Sequence, residues 1–201
     1  SSTLTANYNE GLAYDYHSIS GYTSDPDVSQ LEFLDKLGYK FSGDVMAVAN
    51  TSVLGADSIL GVKYLLSSYD IPGWEKIEDI EPGNGKNVYY NPYALPMAFT
   101  YTSSLQLPDA EETDELLYQN QVYSYLSGQN VEVNKKIDTQ LQTDANTVSC
   151  DVPYQAAPVY GYFNMKDDKS GKFCVNDQLV TLYNSWIAPR VSYVPQNPEE
   201  S

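Results

Sequence analysis

The run Leu60-Gly61-Val62-Lys63-Tyr64-Leu65-Leu66, answered by Val88-Tyr89-Tyr90-Asn91-Pro92-Tyr93-Ala94-Leu95-Pro96, constrains the fold more than any other pair of segments. A glycine that stops a helix runs straight into apolar, β-favouring residues, and a Tyr-rich strand follows, closed by two prolines that cannot continue a ladder. The pattern predicts strand pairing, with Val62–Ser67 at or near a sheet centre.

Around that centre the helix signals are local. Ser24 or Asp25 is positioned as a cap and Pro26 as a first-turn residue; Val28, Leu31, Leu34 and Leu37 follow at three-residue spacing before Gly38, predicting a helix over about 26–37. A second helix is expected over 111–127, opened by Pro108 to Glu112. Leu116, Leu117, Val122, Tyr123 and Leu126 would form its buried face, Gly128 its stop, and Asp109, Glu111, Glu112, Asp114 and Glu115 a solvated acidic start. A short helix over about 53–60 leads into the strand, and Asp44 to Asn50 reads as a strand of its own. Glu81-Pro82-Gly83-Asn84-Gly85 between 74–80 and 86–91 predicts a hairpin, and Met97 to Ser103 a further strand. From Asn130 to Val194 the helical period disappears, with alternation at 131–137 and 178–183 and a turn at 166–171 between 159–165 and 172–176.

The expected fold is therefore α+β: a mixed, mostly antiparallel sheet with two or three covering helices in 1–128, then a small β-sandwich-like subdomain in 129–201. Leu31, Leu34, Leu37, Val62, Tyr64, Leu66, Phe99, Leu116 and Leu126 are the expected core. The last residues, Pro195 to Ser201, read as a frayed end.

Charge narrows the partners. Eleven Lys and Arg against 27 Asp and Glu leave −16 on 201 residues, so nucleic acid and anionic membrane surfaces are repelled. No apolar run approaches the roughly 20 residues that cross a bilayer, and Ser1 to Asn9 has neither the basic start nor the apolar core of a leader.

Catalytic patterns are weak. His17 is the one histidine, no Gly-x-Ser-x-Gly elbow accompanies it, and Gly83-Asn84-Gly85 is a turn without the Lys-Ser/Thr of a phosphate loop. His17, Cys150 and Cys174 are too scattered for a metal site, and Asp25 and Asp27 suit a helix start better than a calcium loop. No cofactor is expected. Glu75, Glu78, Asp79 and Glu81 could supply a glycosidase pair, although carboxylates beside a hairpin are usually only solvated. Tyrosines at 14, 16 and 22 and at 89, 90 and 93 suit stacking on sugar rings as well as they suit half-exposed strands. Tyr14, Asp15, His17 and Tyr22 are the substrate-binding candidates. Cys150 and Cys174, both in β-like contexts, are expected to form a disulfide in an oxidising compartment.

Four phrases occur in one order: Ser18-Ile19-Ser20-Gly21-Tyr22-Thr23-Ser24, Leu60 to Leu66, Tyr90 to Pro96, and Tyr118-Gln119-Asn120-Gln121. Together they resemble the YfhO family of bacterial polytopic membrane proteins, which are similar to GT-C glycosyltransferases. The likeness runs over about Asn7 to Gly128 and weakens beyond, where Val175-Asn176-Asp177 departs from the family's Val-Asn-Gly turn. The resemblance implies the soluble extracytoplasmic domain of a multi-spanning enzyme on the outer face of a bacterial, Gram-positive membrane. Such an enzyme takes sugar from a polyprenyl-phosphate donor onto teichoic acid or a related envelope glycan. It implies as partners the protein's own transmembrane helices and an envelope glycan or lipid-linked sugar. It gives this chain no catalytic residue, because GT-C enzymes carry theirs between membrane helices. It also implies that 1–6 and 195–201 emerge on one membrane-side face, poorer in acid than the opposite face. Two other classes fit the residues: a free carbohydrate-binding or adhesive module, and an acid-residue glycoside hydrolase.

Overall fold

The computed structural model describes residues 15–19, 21–22, 25, 27–42, 46–48, 52–67, 70–71, 73–80, 85–102, 114–144, 147–153, 155–162, 171–175, 178–183 and 191–194. The described elements make an α+β fold. Three helices, α1 (Val28–Lys36), α2 (Leu54–Ile59) and α3 (Glu115–Ser127), accompany short antiparallel strands.

Helix α1 begins at Asp27, whose carboxylate accepts from the amides of Ser29 and Gln30, so the cap falls two or three residues later than the Ser24 or Asp25 expected. Helix α3 starts later as well, at Asp114, which accepts from Leu117 N, and it stops at left-handed Gly128. Its buried side is Glu115, Tyr118, Gln119 and Val122; Leu117 points to solvent and Leu116, Tyr123 and Leu126 are half-buried. The face is turned from the apolar one expected because Gln119, fully buried, donates Nε2 to Leu37 O at 3.0 Å and accepts from Asn134 Nδ2 at 3.0 Å. Both ends of its amide are satisfied, which removes most of the cost of burying it.

Strands β1 (Gly21–Tyr22), β2 (Lys40–Ser42) and β3 (Met46–Val48) form one sheet in the order β1-β3-β2. Strands β4 (Tyr64–Ser67), β5 (Glu75–Lys76) and β6 (Asn87–Tyr90) form a second in the order β4-β6-β5, so the hairpin expected between 74–80 and 86–91 is present. The strand expected at the centre is at the edge instead. β6 occupies the middle because both neighbours pair with it, Tyr64 opposite Tyr90 on one side and Glu75 opposite Tyr90 on the other. The strand expected at 97–103 is absent from the described part of that stretch, 97–102.

The edge position corrects part of the expected core. Tyr64 and Leu66 share one face of β4 and are exposed, Leu66 at 51%, and Phe99 is exposed too. Leu66→Ala should therefore destabilise by less than about 1 kcal/mol, where a core leucine would cost roughly 2 to 5. Urea unfolding of the variant measures this, and a loss above about 2 kcal/mol would contradict the exposed placement.

The larger core joins Leu34, Leu37 and Tyr39 from α1 and its exit, Val53 and Ala56 around α2, Tyr118 and Val122 of α3, and Val191. A smaller one gathers Ile71, Trp74 and Tyr89, with Leu54, Val62 and Leu65 packed against it. Beyond α3 the strands are two-stranded pairs: β7 (Gln142–Asp144) with β8 (Thr147–Ser149), β9 (Tyr160–Tyr162) with β12 (Val191–Tyr193), and β10 (Gly171–Val175) with β11 (Gln178–Tyr183). The turn expected at 166–171 lies, but for Gly171, outside the described residues; β9 and β10 each pair elsewhere, and the β10–β11 hairpin lies between β9 and β12 in the chain. Residues 131–137 form no strand either. Their backbone is tied to α3 instead, Asn120 Oδ1 accepting from Val133 N and Asn134 N at 2.9 and 2.7 Å and its Nδ2 donating to Asn134 O at 2.7 Å.

Candidate functional site

Polar groups converge at two places: a buried cluster on α2 and an exposed aromatic platform on the second sheet. The buried cluster centres on Asp57, whose Oδ1 accepts from the Tyr39 hydroxyl and whose Oδ2 accepts from Ser52 Oγ at 2.8 Å. Val53 offers no capping side chain, so the first amide of α2, Leu54 N, donates to the Tyr160 hydroxyl at 2.8 Å across a long sequence separation. Tyr123 donates to Gly55 O at 2.9 Å. Burial raises the Asp57 pKa to about 6, against the opposing effect of the Tyr39, Ser52 and Val53 hydrogen bonds. Burial first, and the neighbouring Asp57 carboxylate second, push Tyr39 well above the usual phenol range; burial likewise raises Tyr160. A perturbed carboxylate among tyrosines can mark an active site. Here both carboxylate oxygens already accept hydrogen bonds and the side chain is only 3% exposed, an arrangement suited to fixing α2 against its neighbours rather than to meeting a substrate.

The exit of α2 is fixed as tightly. Gly61 is left-handed, with φ 69°, and a Cβ there would lie 3.0 Å from Leu95 O. Leu95 N donates to Ser58 O at 2.9 Å. Asn91, buried, donates Nδ2 to Val62 O at 3.0 Å and to Ser58 Oγ at 3.1 Å, while its Oδ1 accepts from Tyr93 N at 2.9 Å. Asn91 to Pro96 is therefore a clasp around Ser58 to Val62, and the Leu60–Leu66 and Val88–Pro96 phrases are the halves of one contact. The Tyr118-Gln119-Asn120-Gln121 phrase has a comparable role, through the Gln119 and Asn120 bonds to Leu37 and Asn134.

The exposed platform is built on β4 and β6 of the second sheet. Tyr64 and Tyr90, paired across β4 and β6, hold their rings 5.9 Å apart at 50°, and Lys63 Nζ stands 5.8 and 5.9 Å from the two ring centroids. Tyr64 is exposed and Tyr90 half-buried, and Glu75, also exposed, is paired with Tyr90 in the ladder. Two tilted aromatic faces, an ammonium and a carboxylate offer stacking surface and hydrogen-bonding groups together, which is the chemistry that holds a sugar ring.

The residues singled out from sequence are distributed differently. Asp15, which has φ 57°, and His17 are exposed. Tyr22 pairs with Met46 through its backbone, while its side chain and all of Tyr14 lie outside the described residues. Of the tyrosines at 89, 90 and 93, Tyr89 is buried and donates to Asp70 at 2.6 Å, and only Tyr90 joins the platform through Tyr64. Among the hydrolase candidates Glu75, Glu78 and Asp79 are solvated, with Lys76 Nζ 3.5 Å from Glu78, and Glu81 is outside the described residues. Cys150 is exposed, and the side chain of Cys174, its expected disulfide partner, lies outside the described ones. So do 1–6 and 195–201. Among the described residues no group of His, Cys, Asp and Glu is arranged to hold a metal ion. Asp57 and its partners carried no motif; their only signal was an acidic residue on the apolar side of a short helix.

No helix among the described residues is long and apolar enough to cross a membrane. No curated protein and no solved structure matches the chain. A family model described as bacterial membrane protein YfhO matches residues 1–185. With the match spanning most of its length, and with the family-like phrases forming the clasp and the α3 ties of its scaffold, the chain belongs to the YfhO family of bacterial membrane proteins.

Proposed function

We propose that this chain is the extracytoplasmic domain of a multi-spanning, glycosyltransferase-like membrane protein, and that it contacts the envelope glycan or lipid-linked sugar on which the protein acts without catalysing transfer itself. The Tyr64–Tyr90 platform with Lys63 carries this reading, since it is a solvent-facing aromatic surface of the kind that stacks on sugar. Membership of a bacterial membrane-protein family supports a membrane-bound parent, and the choice of teichoic acid or a related polymer as acceptor rests on the likeness of the four sequence phrases to a family similar to GT-C enzymes. Catalysis then belongs to the membrane part, a reading supported by buried Asp57, both of whose carboxylate oxygens are engaged in the scaffold.

The Tyr64→Ala/Tyr90→Ala double variant of the full-length protein should lower glycan transfer about tenfold, the combined worth of two aromatic contacts, without loss of the folded protein. Unchanged transfer would remove the platform from the function. Sugar release by the isolated chain that disappears in Glu75→Gln would instead identify a hydrolase.

A further inference from the structure

A second exposed surface is independent of the platform and of the sugar chemistry. From Asn87 to Pro108 the sequence contains no Asp, Glu, Lys or Arg, although 19% of the chain is charged and a run of that length would ordinarily hold about four such residues. Its middle, 92–102, turns at 92–93 and bends at 97–98 without strand pairing, and most of it faces solvent. Tyr93, Met97, Phe99 and Tyr101 are all exposed, Met97 at 96% and Phe99 at 43%. One end is anchored by Leu95 N on Ser58 O at 2.9 Å. The other is anchored by Tyr101, whose ring lies 5.4 Å from that of Tyr125 with the hydroxyls 3.1 Å apart. Between these points Pro96 to Thr100 displays a methionine and a phenylalanine on a backbone fixed at both ends.

We propose that Pro92–Thr102 is a bilayer-contact edge, seated in the headgroup layer of the membrane to which the parent protein belongs. Three observations favour lipid over a protein partner. Tyrosine with apolar neighbours is the composition of membrane-interface belts, where the ring sits among acyl chains and the hydroxyl stays wet. A chain of −16 is repelled by anionic headgroups, so only an uncharged segment can approach within a Debye length of about 8 Å. The anchors at Leu95 and Tyr101 mean that little backbone must be ordered on contact, which suits a weak interaction made local by a membrane-bound parent. This inference rests on family membership and the surface, not on the glycan reading, and it survives if the Tyr64–Tyr90 platform proves inert.

The test uses the 201-residue chain with phosphatidylcholine vesicles at millimolar lipid. Met97→Ser/Phe99→Ser, at positions already solvated, should keep the urea unfolding curve and lower partition into the vesicle pellet about tenfold. A Phe99→Trp variant should gain fluorescence that brominated lipid quenches, measured against the wild-type background. Phosphatidylglycerol in the vesicles should weaken binding at low salt, and added salt should restore it. Three results would each overturn the proposal: equal partition of wild type and double variant, added Phe99→Trp fluorescence that brominated lipid leaves unquenched, or self-association of the lipid-free chain that the double variant abolishes. The last would assign the surface to a second copy.

Discussion

Asn91→Ala is expected to destabilise the chain by about 3 to 5 kcal/mol, at the upper end of what a single polar replacement does. The side chain serves three partners at once: Nδ2 donates to Val62 O and Ser58 Oγ, and Oδ1 accepts from Tyr93 N. Alanine leaves each without that partner in a site where Asn91 itself is 1% exposed, so desolvation of several polar groups is uncompensated. Val62 also packs against the Trp74–Tyr89 core, so loosening the clasp frees an apolar contact as well. Asn91→Asp separates the roles, since a carboxylate still accepts from Tyr93 N but cannot donate to Val62 O and places a charge in a buried site. It should be at least as damaging as alanine. Denaturant unfolding gives both values. A loss under about 1 kcal/mol for Asn91→Ala would mean that the clasp does not hold the two halves together.

The second large effect depends on pH. Burial lifts Asp57 from an ordinary 3.8 to about 6, so the folded chain holds this proton more tightly than the unfolded chain. Between pH 3.8 and 6 unfolding releases the proton, and stability falls as pH rises through that window. The full difference is about 3 kcal/mol, present below the unfolded value and lost above the folded one. Asp57→Asn keeps the shape and an oxygen for the Tyr39 hydroxyl, and Ser52 can rotate to accept, but it removes the titration. Unfolding free energies of both chains between about pH 4 and 7 should therefore diverge, the wild type alone losing the Asp57 contribution as pH rises. Repulsion among the other carboxylates affects both chains and cancels in the comparison. Parallel slopes would show that the carboxylate is not desolvated in the folded state.

The helices were legible in the sequence because their stops are local: Gly38 and Gly128 each end an apolar period. Their starts fall two and four residues after the expected 26 and 111, since Ser24, Asp25, Asp27 and Asp114 are all acceptable caps and only tertiary packing chooses among them. The order of strands was not legible. Tyr64 and Leu66 have the composition of a central strand, yet burial in a sheet depends on which neighbour covers which face, and β6 took the middle. The family-like phrases were recognisable, but their purpose was not, because Asn91 and Gln119 act through partners about thirty and eighty residues away, distances that no local period encodes. The platform needed Tyr64 and Tyr90 in register across β4 and β6, and the Asp57 cluster needed Tyr160 to meet α2. Neither juxtaposition follows from spacing along the chain.

Val191 is fully buried among Leu37, Tyr39 and Val122, and its Cγ2 lies 3.1 Å from where a Cβ on left-handed Gly38 would sit. The strand that delivers it, β12, closes on β9 only after the whole β10–β11 hairpin has been made, and it lies past residue 185, where the family match ends. The boundary of sequence likeness is thus not the boundary of cooperative folding. During synthesis the hydrophobic centre stays incomplete until the ribosome has passed residue 191, so the larger core closes among the last contacts the described residues can make.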